Sequence, residues 1–119
     1  MSLNKSIQKI ISEYSKKEPK TIEQQLIKLQ EEHGELSVAI LQRFGLKSPK
    51  GKSIKEIEEN ILEEACDMVI MLMSIIAHFN FDNDAVDDMI KAKLSKWEGN
   101  LGNIDKWKKE LVRASKESI

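Results

Sequence analysis

Two stretches of the chain carry one pattern of carboxylates. Leu29-Gln-Glu-Glu-His-Gly-Glu-Leu36 and Ile61-Leu-Glu-Glu-Ala-Cys-Asp-Met68 both read apolar, any residue, Glu, Glu, two residues, acid, apolar, thirty-two residues apart. On a helix Glu32/Glu35 and Glu64/Asp67 are i, i+3 pairs, so each pair shares a face. Like charges crowded beside a core repel and raise one another's pKa, so four of them call for a counter-charge. Ligation by carboxylate and water oxygens alone suits a hard divalent cation, Mg²⁺ or alternatively Mn²⁺. A single motif of this kind reads as the solvated flank of a charged helix. The matched second copy moves the reading to a metal site.

The helical period sorts these carboxylates. With Leu29 as zero and about 100° per residue, Ile22, Leu26, His33, Leu36 and Ile40 form the apolar arc. Glu32 then lies about 60° to one side of Leu29, Glu35 about 120° and Glu31 about 160° round. With Ile61 as zero, Ile54, Ala65, Met68, Leu72 and Ile76 form the second arc, and Glu64, Asp67 and Glu63 repeat the three positions. The inner set is therefore Glu32, Glu35, Glu64 and Asp67, while Glu31 and Glu63 face outward. His33 on the arc reads as a satisfied core histidine, and Cys66 as a small buried packing residue. Gly34 costs about 1 kcal/mol against Ala inside a helix, so a close approach by another helix is expected there.

Helices must position these groups. A first helix is expected from about Asn4 to Ser15 with Ile7, Ile10, Ile11 and Tyr14 on its face, ending before Pro19. Thr21 with Gln24 or Gln25 caps a second helix that runs to about Phe44. Gly45 to Lys52, rich in Gly, Pro and Lys, is a loop. Ser53 with Glu56 forms a capping box opening a third helix to about Phe79. A turn from Asn80 to Asp84 leads to a fourth helix ending near Glu98; Gly99 to Asn103 breaks it, and a last helix spans about Ile104 to Ser115. From Met68 to Ala77 the third helix is apolar on nearly all sides, which implies protein all round and favours a homodimer.

Composition agrees with one small helical domain. The chain has 119 residues with 5% aromatic content, five glycines and two prolines, a balance that fits an all-α fold better than a β-protein. Nineteen basic against twenty acidic residues give a formal charge of −1, which argues against a nucleic-acid footprint. One cysteine excludes a disulfide framework and points to a reducing compartment. Met1 to Ser6 lacks a signal-peptide run, and no apolar segment is long enough for a bilayer, so a cytoplasmic protein without a membrane partner is expected.

Beyond the carboxylates, Lys93 falls inside the apolar arc of Val86, Met89, Ile90, Leu94 and Trp97. A lysine there needs an acidic neighbour, an anionic ligand or a route out to water. Lys96 at the arc's edge is placed to reach the same anion. Trp97 offers a stacking face for a base, although a tryptophan at helical spacing more often packs in a core.

The residues resemble the MazG-type, all-α nucleoside triphosphate pyrophosphohydrolases. That signature, EExxE followed after a gap by ExxD, is matched by Glu31-Glu32-His33-Gly34-Glu35 and Glu64-Ala65-Cys66-Asp67. The resemblance covers roughly Thr21 to Trp97. It implies a four-helix bundle core at about 21–98 with an additional C-terminal helix at about 104–115. It further implies an enzyme, a homodimer or dimer of dimers, that uses Mg²⁺ to convert an NTP or dNTP to its monophosphate and pyrophosphate. By motif position Glu32, Glu35, Glu64 and Asp67 would hold metal. Glu31 and Glu32 would be catalytic, Glu31 assisting a second metal or the attacking water. Lys93, Lys96 and Trp97 would contact substrate. Many members continue from the lysine to Asn and Arg at three-residue steps; here the steps read Lys93, Lys96, Gly99, so the arginine is absent. Two other readings stand beside this one: a non-catalytic helical adaptor with a structural cation, and a phosphoribosyl-ATP pyrophosphohydrolase.

Overall fold

A computed structural model describes residues 5–117. It contains four helices, α1 (Lys5–Lys17), α2 (Ile22–Arg43), α3 (Ile54–His78) and α4 (Asn83–Glu117), and no strand among the described residues. The all-α class expected from composition and periodicity is observed. The start expected at Asn4, and the N-terminal residues through Asn4 read for a leader, lie outside the described residues. No described helix is long and apolar enough to cross a membrane. The chain forms two compact units, Met1–Asn80 with α1 to α3 and Phe81–Ile119 with α4.

Local chemistry explains where α2 and α3 begin. The Thr21 hydroxyl accepts from the Gln24 backbone N–H while the Gln24 side chain accepts from that of Thr21, and Ser53 and Glu56 reciprocate in the same way. Each box satisfies donors that the first helical turn leaves without partners. Between the two helices the chain turns through left-handed backbone at Gly45, Lys50 and Gly51, where glycine avoids the Cβ penalty that Lys50 bears.

Cross-helix pairs set the register of the hairpin. Arg43 meets Glu58, Glu32 meets Glu64 and Gln25 meets Ser74, so each step back along α2 is a step forward along α3 and the helices are antiparallel. The first helix joins through Ser15, whose Oγ donates to the Ser74 carbonyl at 3.0 Å, while Ser74 Oγ donates to Gln25 Oε1 at 3.3 Å. Gln25 Nε2 in turn donates to the Lys20 carbonyl at the entry to α2. One chain of hydrogen bonds thus ties together three helices and a turn.

The buried face of α2 is rotated from the expected arc. Its buried residues are Gln25, Glu32, Ala39 and Gln42, whereas Leu26 and Ile40 are exposed and His33, expected in the core, is exposed as well. The helix turns its Glu32 side inward by about 60° on the helical wheel. Gly34 consequently faces outward. Cys66 is exposed rather than buried, and a Cβ on Gly34 would meet nothing within 4 Å, so no close helix approach explains that glycine. The same rotation leaves Ile57 as the buried apolar residue of α3, with Leu72 and Ile76 exposed.

The expected break at Gly99 to Asn103, and with it a separate last helix at 104–115, is absent. The fourth helix runs through both glycines for 35 residues, and Asn103 Nδ2 donates to the Gly99 carbonyl one turn back. Each glycine costs about 1 kcal/mol against Ala, but no proline removes a backbone donor, and a helix already nucleated on both sides propagates through isolated weak formers.

Candidate metal centre

The antiparallel hairpin brings the two acidic motifs together. Glu32 and Glu35 project from α2 and Glu64 from α3, and one carboxylate oxygen from each lies within 4.8 Å of the others. Glu32 is only 7% exposed. Sequence reasoning places this carboxylate beside the core, and the rotation of α2 puts it inside.

Three close carboxylates cannot all stay ionised cheaply, and the structure shows how the charge is divided. The hydrogen bond with Glu32, helped by burial and by the charges of Glu32 and Glu35, pushes Glu64 up to about 7. The same bond from Glu64, together with Lys28, holds Glu32 below the usual carboxylate range. The pair therefore shares a proton near neutrality, with Glu64 the more readily protonated partner. Glu64 Oε2 is buried without a hydrogen-bond partner. A buried carboxylate oxygen with nothing to accept from is an unmet demand that a cation would answer.

Lys28 is the charged neighbour of this cluster that the sequence analysis missed. Its Nζ lies 3.2 Å from Glu32 and 3.4 Å from Glu31, and the two carboxylates hold its pKa above the ordinary lysine value. The signal was present as i, i+4 spacing from Glu32, in the less favourable Lys-before-Glu order. Glu31 itself faces outward, as the wheel predicts, and bonds only Lys28 among the contacts seen.

The fourth expected ligand stands apart from the three. Asp67 is half-buried, one turn beyond Glu64, and shares with Glu32 the wall of a cleft of about 440 Å³. One methylene shorter than glutamate, it does not reach the group formed by Glu32, Glu35 and Glu64. The cleft runs between α1, α2 and α3, with Ile11, Ile70 and Met71 as apolar wall and Lys28, Gln25 and Ser74 as polar lining. A shallow apolar space with a few convergent polar groups beside a charged cluster is the usual form of a small-molecule site. Lys93, Lys96 and Trp97 are exposed on α4, in the second unit.

The donor set fits a hard cation. Six oxygens at about 2.1 Å around Mg²⁺ are spaced about 3 to 4 Å from one another, so small side-chain rotations would close the three carboxylates on one ion. Loss of the shared proton and of the Lys28 contact would free further lone pairs for it. No protein-family model, no curated protein and no solved structure matches the chain.

Proposed function

We propose that the chain is a Mg²⁺-dependent nucleotide pyrophosphohydrolase that converts an NTP or dNTP to its monophosphate and pyrophosphate, with the bundle fold of the all-α enzymes of that class. The observation that carries this reading is the group of Glu32, Glu35 and Glu64, with the Glu64 Oε2 atom unsatisfied, beside a cleft of nucleoside size. A carboxylate site repels a polyphosphate by itself, so binding requires an ion that reverses the local sign. Magnesium, with Mn²⁺ as alternative, would supply that reversal and polarise phosphate oxygens.

In this proposal the chain's own residues divide the work. Glu32, Glu35 and Glu64 hold the ion, and Asp67 joins them from the cleft wall as substrate enters. Glu31, on the solvent side, accepts a proton from the attacking water. Lys28 leaves Glu32 and turns to phosphate. Ile11, Ile70 and Met71 pack on the base.

A second reading has its own support. The absence of the arginine, with Gly99 at its step, favours an idle adaptor whose site holds a structural cation. Pyrophosphate release from a panel of NTPs and dNTPs, with Mg²⁺ and with excess EDTA, separates the two. Metal-dependent release with monophosphate as co-product is expected, and Glu64→Gln should lower it at least about 100-fold with helicity unchanged. Equal rates in EDTA or in Glu64→Gln would reject the enzyme reading. Inclusion of phosphoribosyl-ATP in the panel identifies the third alternative.

A further inference from the structure

The cleft beside the carboxylates has a second end. Gln25 and Ser74 lie two helical turns, about 10.5 Å, from Glu32 on α2 and Asp67 on α3, and both ends line the same space. A sugar with its first phosphate bridges that separation. A nucleotide held through metal at Glu32 therefore sets its base against Gln25, Ser74 and Ser15, which come from three helices. One backbone carbonyl fixes what those three groups can offer a base.

The Lys20 carbonyl only accepts, so the atom facing it at 3.3 Å must be Nε2 of Gln25. Oε1 of Gln25 then points at Ser74 Oγ, 3.3 Å away, and that hydroxyl must donate. Ser15 Oγ, 3.0 Å from the Ser74 carbonyl, must likewise donate its single hydrogen. Both hydroxyl hydrogens are thus committed, and the Gln25 side chain, 8% exposed, is held in this orientation at both its polar atoms. The capacity left over is unequal: lone pairs on Oε1 and on both serine oxygens, against one remaining N–H of Gln25. We infer that this end of the cleft selects a base with an exocyclic amino group, cytosine or adenine, over its oxo counterpart, uracil or hypoxanthine. The amino group brings two hydrogens to one atom, and they meet lone pairs. An oxo oxygen brings lone pairs to lone pairs, and burying it there leaves acceptors unpaired on both sides. This selectivity rests on the nucleotide reading of the site and adds the class of base to it.

Equilibrium binding of α,β-methylene triphosphate analogues, which cannot be cleaved between the α- and β-phosphorus atoms, tests it on the full chain with Mg²⁺. The cytidine and uridine analogues form one pair, the adenosine and inosine analogues the other. In whichever pair binds the tighter, the amino member is expected to exceed the oxo member at least about 10-fold in affinity. At least one of Ser74→Ala and Ser15→Ala should cut that ratio about threefold or more. A general loosening of the fold would weaken both members of a pair alike and leave the ratio where it was. Equal affinity within that pair, a preference for its oxo member, or the wild-type ratio in both variants would overturn the inference, as would failure of every analogue to bind. Turnover is read separately on the cleavable triphosphates. An amino preference without turnover would sink the enzyme reading alone, and turnover without the preference would sink the base selection alone.

Discussion

The second helix buries Gln25, Glu32 and Gln42 and leaves Leu26, Ile27 and Ile40 exposed, whereas α4 buries nothing and lines up Ile90, Leu94, Trp97 and Leu101 along one exposed side. In the first region polar groups occupy the inside, each held by a hydrogen bond or a shared proton. In the second, an apolar stripe faces out in regular order. Burying a carboxylate costs free energy unless it is paired, so the inner face of α2 gives up hydrophobic stabilisation for a charged site. The stripe of α4 has the opposite character, with abundant exposed hydrophobic surface. The difference teaches that one unit gathers polar and charged groups on its inner face while the other lays its apolar residues along an exposed one.

The largest expected effect tests how little apolar core supports that site. Buried Ile57, 3% exposed, is the main apolar anchor of α3, so Ile57→Ala should cost about 2 to 4 kcal/mol in urea unfolding, and Leu62→Ala on the outer face under about 0.5 kcal/mol. Equal losses at both positions would erase the distinction between inner and outer faces. Next in size are the capping boxes, where Thr21→Ala and Ser53→Ala should each cost about 1 kcal/mol. A negligible change would show that tertiary packing alone sets those helix starts.

Glycine substitutions probe the outward faces. Gly99→Ala in α4 and Gly34→Ala in α2 should each stabilise by up to about 1 kcal/mol, read as a rise in Tm, because both sites are helical and open. A drop at Gly34 would restore the close helix approach expected from the sequence.

Acidity sharpens the comparison last. Glu64 titrates near 7 in the folded chain against an ordinary 4.5, so between those values the folded state keeps a proton that the unfolded chain has released. Stability contributed by that proton is full below about pH 4.5 and is lost as pH rises through about 7. Glu32, shifted down, acts oppositely, and its contribution fades only as pH falls below the ordinary carboxylate value. In EDTA the urea midpoint should therefore fall from pH 5.5 to pH 7.5. Either Glu64→Gln or saturating Mg²⁺ should flatten that slope, the ion by replacing the proton. A profile identical in wild type and Glu64→Gln would count against the shared proton.

Much of the first unit was legible in the residues. The caps at Thr21 and Ser53 act within one turn, so adjacent sequence suffices to place them. The meeting of Glu32 and Glu64 was legible too, because both lie equally far from Ser48 in the Gly/Pro/Lys loop, and a hairpin folded there must bring them level. The end of α4 was misread: glycines at 99 and 102 suggest a break, but nothing in the backbone demands a left-handed turn at either.

By itself the sequence determined the helical class, the boundaries of α2 and α3 and the inner ranking of Glu32 over Glu31, because these depend on periodicity and on contacts between near neighbours. Only the tertiary structure decided that α2 rolls its Glu32 side inward and exposes His33, that Cys66 on α3 is exposed, that Glu35 rather than Asp67 closes the three-carboxylate group, and that Lys28 supplies the built-in counter-charge. Those outcomes depend on how two helical surfaces settle against each other, where a rotation of about 60° exchanges one set of side chains for another at fixed sequence.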